Sequence, residues 1–310
     1  MIERRHLQLE GLRLSYLEQG TAAQDKPSLV LLHGLMGCAE TFVPLMNELS
    51  GRHVIALDLP GAGLSERRPD IDATLAATTT NVADFLTALD LRQPVLVGHS
   101  HGGTVALSLA AKHRKILRSI VLLAPAHPYF DEGAPVIRFY LSLPGRIFAH
   151  SMPWYPQWLQ MMGLRRMAGP QSWDTPERLK PYRENLRMKG TMAHLLKLLR
   201  SWQTDMSALH EALQDPLSLP TLILWGDSDR AVPANSGVQL REHLLRSELH
   251  ILPGVGHRPA EERAAVVAGY LADWQDQTFI AQEPVRYSAN SSAAQLLTAS
   301  LMKPSLEAGD

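Results

Sequence analysis

An α/β fold, with a mostly parallel central sheet and helices on both faces, is predicted for this 310-residue chain by three observations. Short apolar runs rich in Val, Leu and Ile alternate with helical stretches of amphipathic pattern, the rhythm of a parallel sheet covered on both sides. That rhythm stops after Ala126 and resumes at Thr221, so an insertion interrupts one sheet. One of the buried-strand patterns, Pro94 to Val97, runs straight into Gly98-His99-Ser100-His101-Gly102, where the chain must turn sharply from strand to helix.

Each element follows from its pattern. Residues His6 to Gly20 alternate as an opening hairpin about Gly11. Ser28 to Gly34 reads as a buried strand, Glu40 to Leu49 as a helix, His53 to Asp58 as a strand and Leu75 to Leu89 as a helix. Strand Pro94 to Val97, helix His101 to Lys112 and strand Leu117 to Leu123 complete the first half. Residues 127–215 hold no β-run, only helical stretches broken by prolines and glycines, and are expected to form a helical cap. The core, residues 1–126 and 216–276, closes with strand Thr221 to Trp225, helix Asn235 to Leu245, strand Leu249 to Leu252 and helix Ala260 to Trp274. The tail, residues 277–310, lacks periodicity apart from Ala293 to Met302 and is expected to be mostly disordered.

Composition bounds the function. With 45% hydrophobic residues, 20% charged residues and a formal net charge of -1, the chain reads as an ordinary globular protein. Nothing in that balance calls for nucleic acid or an anionic surface, although local patches stay open. The single cysteine, Cys38, cannot form an internal disulfide, and no Cys/His cluster has zinc spacing. The charged N-terminus is followed by no apolar stretch of signal-peptide length, and no apolar run approaches the roughly 20 residues needed to span a bilayer. A cytoplasmic location with no membrane span is expected; oligomeric state is not legible.

Ser100 sits at the apex of the strand-to-helix turn, where a strained positive-φ backbone and small neighbours hold its Oγ out for attack on a carbonyl carbon. A serine hydroxyl needs a base, and the base needs an orienting group. In open α/β sheets ligands lie beyond the carboxyl ends of the strands, and two later loops lie there. Gly226-Asp227-Ser228-Asp229-Arg230 follows one strand, and Pro253-Gly254-Val255-Gly256-His257 follows the next. The order serine, acid, histidine is that of the α/β-hydrolases. With these residues, His33-Gly34-Leu35-Met36-Gly37 and Asp58-Leu59-Pro60-Gly61-Ala62-Gly63-Leu64-Ser65, the region from about residue 6 to 276 resembles the α/β-hydrolase superfamily.

The resemblance implies a catalytic set of Ser100, His257 and Asp229, with Asp227 as a turn residue and Asp131 as a minor alternative acid. It implies an oxyanion hole from the backbone N–H groups of Leu35 and His101, and a His33 that hydrogen-bonds within its own loop. It requires no cofactor and no metal. His99 and His101 flank the nucleophile and are read as packing beside the turn or lining the pocket, not as the base. His33, Met36, Trp154, Trp158 and Met161 are the candidate substrate-binding residues, the last three from an aromatic and Met-rich set in the insertion. The cations from Arg165 and Arg166 through Lys189 read as a solvated helix face. Serine in place of a carboxylate excludes the relatives that open epoxides or displace halide. The expected activity is hydrolysis of small or medium apolar carboxylic esters. Carbon-carbon bond hydrolysis of ring-cleavage products, and a non-catalytic ligand-binding receptor, are the alternatives.

Overall fold

The structure, a computed structural model, describes residues 1–23, 26–130, 134–170 and 175–280. Most of the expected tail, residues 281–310, and the alternative acid Asp131 lie outside them.

Eight strands form one sheet. A hairpin of β1 (Ile2–Leu9) and β2 (Leu12–Gln19) turns at Gly11, whose φ of +70° suits a residue without Cβ. Then come β3 (Leu29–Leu32), a 3₁₀ turn (Ala39–Phe42) running into α1 (Val43–Glu48), β4 (Val54–Asp58) and α2 (Leu75–Ala88). The middle of the sheet is β5 (Val95–His99), α3 (His101–His113) and β6 (Ser119–Leu123). The insertion contributes α4 (Ala134–Leu141), α5 (Leu143–Ser151), α6 (Gln157–Met167), α7 (Pro176–Arg187) and α8 (Thr191–Ala212). The core resumes with β7 (Thr221–Gly226), α9 (Ser236–Glu242), β8 (Ser247–Leu252), α10 (Pro259–Glu262) and α11 (Ala264–Ile280). Strand order is β1-β2-β4-β3-β5-β6-β7-β8, with only the β1–β2 and β2–β4 pairs antiparallel. The sheet and its two helical layers are those expected.

The inner strands are buried on both faces, which is why they read as unbroken apolar runs rather than alternating ones. Leu32, Ile55, Leu57 and Leu96 pack against α2, α3 and α9, while Leu29, Leu31, Val54, Val95 and Val97 pack against α1 and α11. The two apolar layers fix register, since a one-residue slip would exchange the faces.

Several boundaries shift from expectation by a few residues, and two of the shifts have a clear physical reason. The segment expected as helix from Glu40 starts instead as a 3₁₀ turn, and the α-helix proper begins at Val43, one residue before Pro44. A proline in the first helical turn loses no intrahelical bond, because its missing N–H would be an orphan there. The last helix is broken at Arg263 and then runs on past Trp274 to Ile280. Its polar end is anchored: Trp274 Nε1 donates to Ser119 Oγ at 3.1 Å, the Gln275 amide donates to the Pro27 carbonyl, and Asp276 pairs with Arg52 at 3.0 Å.

Candidate active site

The turn between β5 and α3 places Ser100 at φ +51°, ψ -116°, a region that a side chain enters only where its surroundings impose it. Its N–H donates to the Leu123 carbonyl at 3.0 Å, and its own carbonyl accepts from Gly103, Thr104 and Ala126. A Cβ at Gly98 would lie 2.3 Å from the Gly102 carbonyl oxygen, and one at Gly102 would lie 2.2 Å from that of Leu32. Both obstacles are backbone, so both glycines are obligatory for strand and helix to approach this closely.

The acid loop is braced from behind. Trp225 at the end of β7 is fully buried and donates its indole N–H to the Val232 carbonyl at 2.9 Å. That fixes the turn in which Asp229 Oδ1 accepts from the N–H groups of Ala231 (2.8 Å) and Val232 (3.0 Å). Asp227 points the other way and caps the histidine loop, accepting from Gly254 N–H at 2.9 Å. The two loops touch at Gly226, where a Cβ would sit 2.1 Å from the Val255 carbonyl oxygen.

His257 then stands between acid and serine. Its Nδ1 is 2.8 Å from Asp229 Oδ2 and its Nε2 is 3.0 Å from Ser100 Oγ. A carboxylate only accepts, so Nδ1 carries the proton and Nε2 presents its lone pair to the serine hydroxyl. The backbone of His257 is held too: its N–H donates to the Met167 carbonyl at 2.8 Å, and its carbonyl accepts from His99 Nε2 at 2.7 Å. Desolvation lowers the His99 pKa to about 3, which keeps that ring neutral.

The loop after β3 lies across from the serine. A Cβ on Gly34 would meet Ser100 Cβ at 3.0 Å. His33 accepts the Leu59 N–H at Nε2 (3.1 Å) and therefore donates from Nδ1 to the Gly34 carbonyl (2.9 Å). Met36 adopts φ +65°, and its carbonyl and that of Gly37 accept from the Asn185 amide. Among the described residues, no protein group takes up the backbone N–H of Leu35 or of His101. The His101 ring is buried against Trp202 with neither nitrogen hydrogen-bonded, and desolvation lowers its pKa to about 3.

Ser100, Asp229, His257, Leu35, His101, His33 and Met36 are thus gathered on one sheet edge. Trp154, Trp158 and Met161 belong to the insertion, in a 3₁₀ turn (Met152–Trp154) and α6. Both tryptophans are about two-thirds exposed, and Met161 packs in a small separate core with Leu164 and Leu179. No hydrogen bond or ring contact joins these three to Ser100 or His257.

Two residues absent from the sequence reading hold the site together. Asn185, buried on α7, accepts from Gly63 N–H at 2.8 Å while donating to the β3 loop. Glu262 accepts from the N–H groups of Gly169 (2.9 Å), Gly256 (2.8 Å) and Arg258 (3.1 Å), fastening the insertion and both flanks of His257. Next to it the buried Arg258 donates to the Leu164 carbonyl at 2.7 Å and lies over the Tyr182 ring. The Tyr182 hydroxyl donates to Glu261, whose burial pushes its pKa up to about 7. No sequence pattern marks Asn185. The acidic pair following the histidine by four and five residues was a signal for Glu262, at the spacing of a first-turn helix cap.

Cys38, Glu40 and Asp58 form the one side-chain group of metal-ligating type found among the described residues. Arg4 pairs with both carboxylates, and Asp58 also accepts from Ala39 and Leu64 N–H, so its oxygens are occupied by donors.

Comparison with known proteins agrees with this architecture. Residues 27–264 match the model of a family described as the alpha/beta hydrolase fold. Lipase 1 of Psychrobacter immobilis is 25% identical over 256 residues, 81% of this chain and 77% of the lipase. The 2-hydroxymuconate semialdehyde hydrolase of Pseudomonas sp. (strain CF600) is 28% identical over 235 residues, 74% of this chain and 79% of that enzyme. The crystal structure of Cfl2 from Burkholderia cenocepacia superposes with a TM-score of 0.77 at 21% identity, covering 88% of this chain and 96% of Cfl2. The protein is a member of the alpha/beta hydrolase fold family.

Proposed function

We propose that the protein is a serine hydrolase of carboxylic esters, acting through an acyl-enzyme on Ser100. The observation that carries this reading is the continuous line Ser100 Oγ–His257 Nε2 (3.0 Å) and His257 Nδ1–Asp229 Oδ2 (2.8 Å). Ser100 attacks the ester carbonyl carbon while His257 Nε2 takes the hydroxyl proton; Asp229 holds the tautomer and stabilises the imidazolium. Charge gathers on the carbonyl oxygen, and the N–H groups of Leu35 and His101 receive it, the latter at the N-terminus of α3. Losing one such donor costs about 3 to 4 kcal/mol of transition-state stabilisation. The alkoxide leaves with the proton from His257. Water, deprotonated by the same nitrogen, then releases the acid and restores Ser100. Residues 127–215 act as a cap whose inner surface selects the substrate.

Carbon-carbon bond hydrolysis is the second reading, favoured by the 28% identity with a semialdehyde hydrolase. It ranks below because the residue following the histidine, Arg258, is committed to Leu164 and Tyr182 and lacks the aromatic ring expected there.

Fluorophosphonate labelling combined with hydrolysis of a p-nitrophenyl ester tests the proposal. Wild type is expected to be labelled and active, and Ser100→Ala neither. Activity retained in Ser100→Ala would refute the nucleophile, and an active C–C cleavage of a vinylogous diketone without esterase turnover would favour the second reading.

A further inference from the structure

Among the described residues, nine of the fourteen large apolar side chains left exposed fall between Val136 and Met162. The other five are scattered singly over the rest of the molecule, which is ordinary for a globular surface. The concentration is patterned. In α4, Val136 and Phe139 stand three apart; in α5, Leu143 and Ile147 stand four apart; in α6, Trp158 and Met162 do the same. Those spacings put each pair on one helix face, turned away from the protein. The faces join, because the Phe139 and Phe148 rings lie 5.9 Å apart and Phe148 meets Tyr155 at 5.8 Å. Side chains lining a closed cleft would be covered, whereas Leu143, Trp154 and Trp158 are 65–66% exposed.

Charge says what covers this face. Residues 134–170 contain four arginines and no aspartate, glutamate or lysine, in a chain whose overall formal net charge is -1. Arg138 and Arg166 are exposed. Helices that expose Trp, Phe and Leu with arginine bordering the same face, as Arg166 does four residues after Met162, settle in the headgroup layer of a membrane, where the indole ring of Trp is also favoured. A second copy of the chain would bring the same positive charges face to face, which opposes self-association.

We propose that α4 to α6 form a docking face for an anionic lipid surface, lying in its headgroup layer without crossing it. No described helix is long and apolar enough to span a bilayer. Binding through this face does not depend on the ester-hydrolysis reading, and the test keeps the two apart.

The full chain is sedimented with vesicles of phosphatidylcholine alone or mixed with phosphatidylglycerol. Binding about 25-fold tighter to the anionic vesicles is expected, from about fivefold for each of Arg138 and Arg166. Leu143→Ser/Ile147→Ser should stay in the supernatant while melting like wild type, and Arg138→Glu/Arg166→Glu should lose the anionic preference. Ser100→Ala should sediment like wild type. The proposal is overturned if wild type ignores anionic vesicles, or if the double serine variant binds them equally well. A concentration-dependent dimer that the serine pair abolishes, with no vesicle binding, would overturn it in favour of a second copy.

Discussion

Asp229 shows how little freedom a single residue of the site retains. Its Oδ1 is held by two backbone N–H groups and its Oδ2 by His257. In Asp229→Asn the amide oxygen stays with Ala231 and Val232, so the NH₂ faces His257 Nδ1. That nitrogen must then accept, Nε2 must carry the proton, and no lone pair remains for the serine. We expect kcat for a p-nitrophenyl ester to fall about 10⁴-fold with the fold intact; a loss under tenfold would remove Asp229 from the role of acid. Glu262 makes a contrasting case, because it touches no reacting atom. Removing its carboxylate orphans three N–H groups around His257, each costing about 1–3 kcal/mol when left unpaired. Glu262→Ala should lower the melting temperature and kcat with KM nearly unchanged, and Glu262→Gln, which keeps one acceptor oxygen, should recover part of both. The Ser100, Asp229 and His257 positions were legible because each follows, within three residues, a glycine that the backbone requires. Asn185 was not, since its partners Gly63 and Met36 are 122 and 149 positions away and no local pattern records them.

The elements were read well where both faces are buried and less well where polar contacts set the boundary. Strands β3 to β7 are apolar runs that admit one interpretation, while α11 outlasts its apolar pattern because Arg52 and Pro27 hold its polar end. The insertion's helical character was visible, but the direction its aromatic residues face was not, since periodicity gives a stripe and not its partner. The β5–α3 junction carries the sharpest prediction at this scale. Gly98→Ala or Gly102→Ala sets a methyl group about 2 Å from a carbonyl oxygen of the backbone, which cannot move without unpairing the sheet. Either variant should lose most of its activity and at least about 2 kcal/mol of stability in urea unfolding. Gly269→Ala on α11, whose Cβ would meet nothing within 4 Å, should do neither.

At the scale of the whole molecule, buried imidazoles govern the response to acid. Desolvation lowers the pKa of His99 and His101 to about 3 and that of His127 and His194 to about 4. The unfolded chain protonates these rings near pH 6.5 and the native one does not, so each withdraws stability as pH falls below 6.5, at up to about 1.4 kcal/mol per pH unit. Glu261 works in the opposite sense. Its native pKa of about 7 against 4.5 means that stability falls as pH rises through that window. Four histidines outweigh one carboxyl group, so urea midpoints should drop steadily from pH 6.5 to 4.5. His127→Gln, which removes the buried ring bonded to Ser236 at 3.0 Å, should flatten that slope by about one proton. Midpoints unchanged across the range would contradict this account.

The fastening of the His257 backbone carries a consequence for traffic through the molecule. Its N–H is held by Met167 at the end of α6, and Glu262 ties Gly169 to the same loop. An insertion that swung away as one rigid piece would pull His257 off its mark each time a substrate entered. The α6 terminus must therefore stay docked through the cycle, which leaves movement for entry and release to the α4–α5 end, packed on α8 through Ala149, Met192 and Leu196 and sharing no backbone hydrogen bond with the histidine loop among the described residues. Amide hydrogen exchange should separate the two, with early deuterium uptake in 134–151 and late uptake at His257; equal rates would mean that the site comes apart whenever it opens.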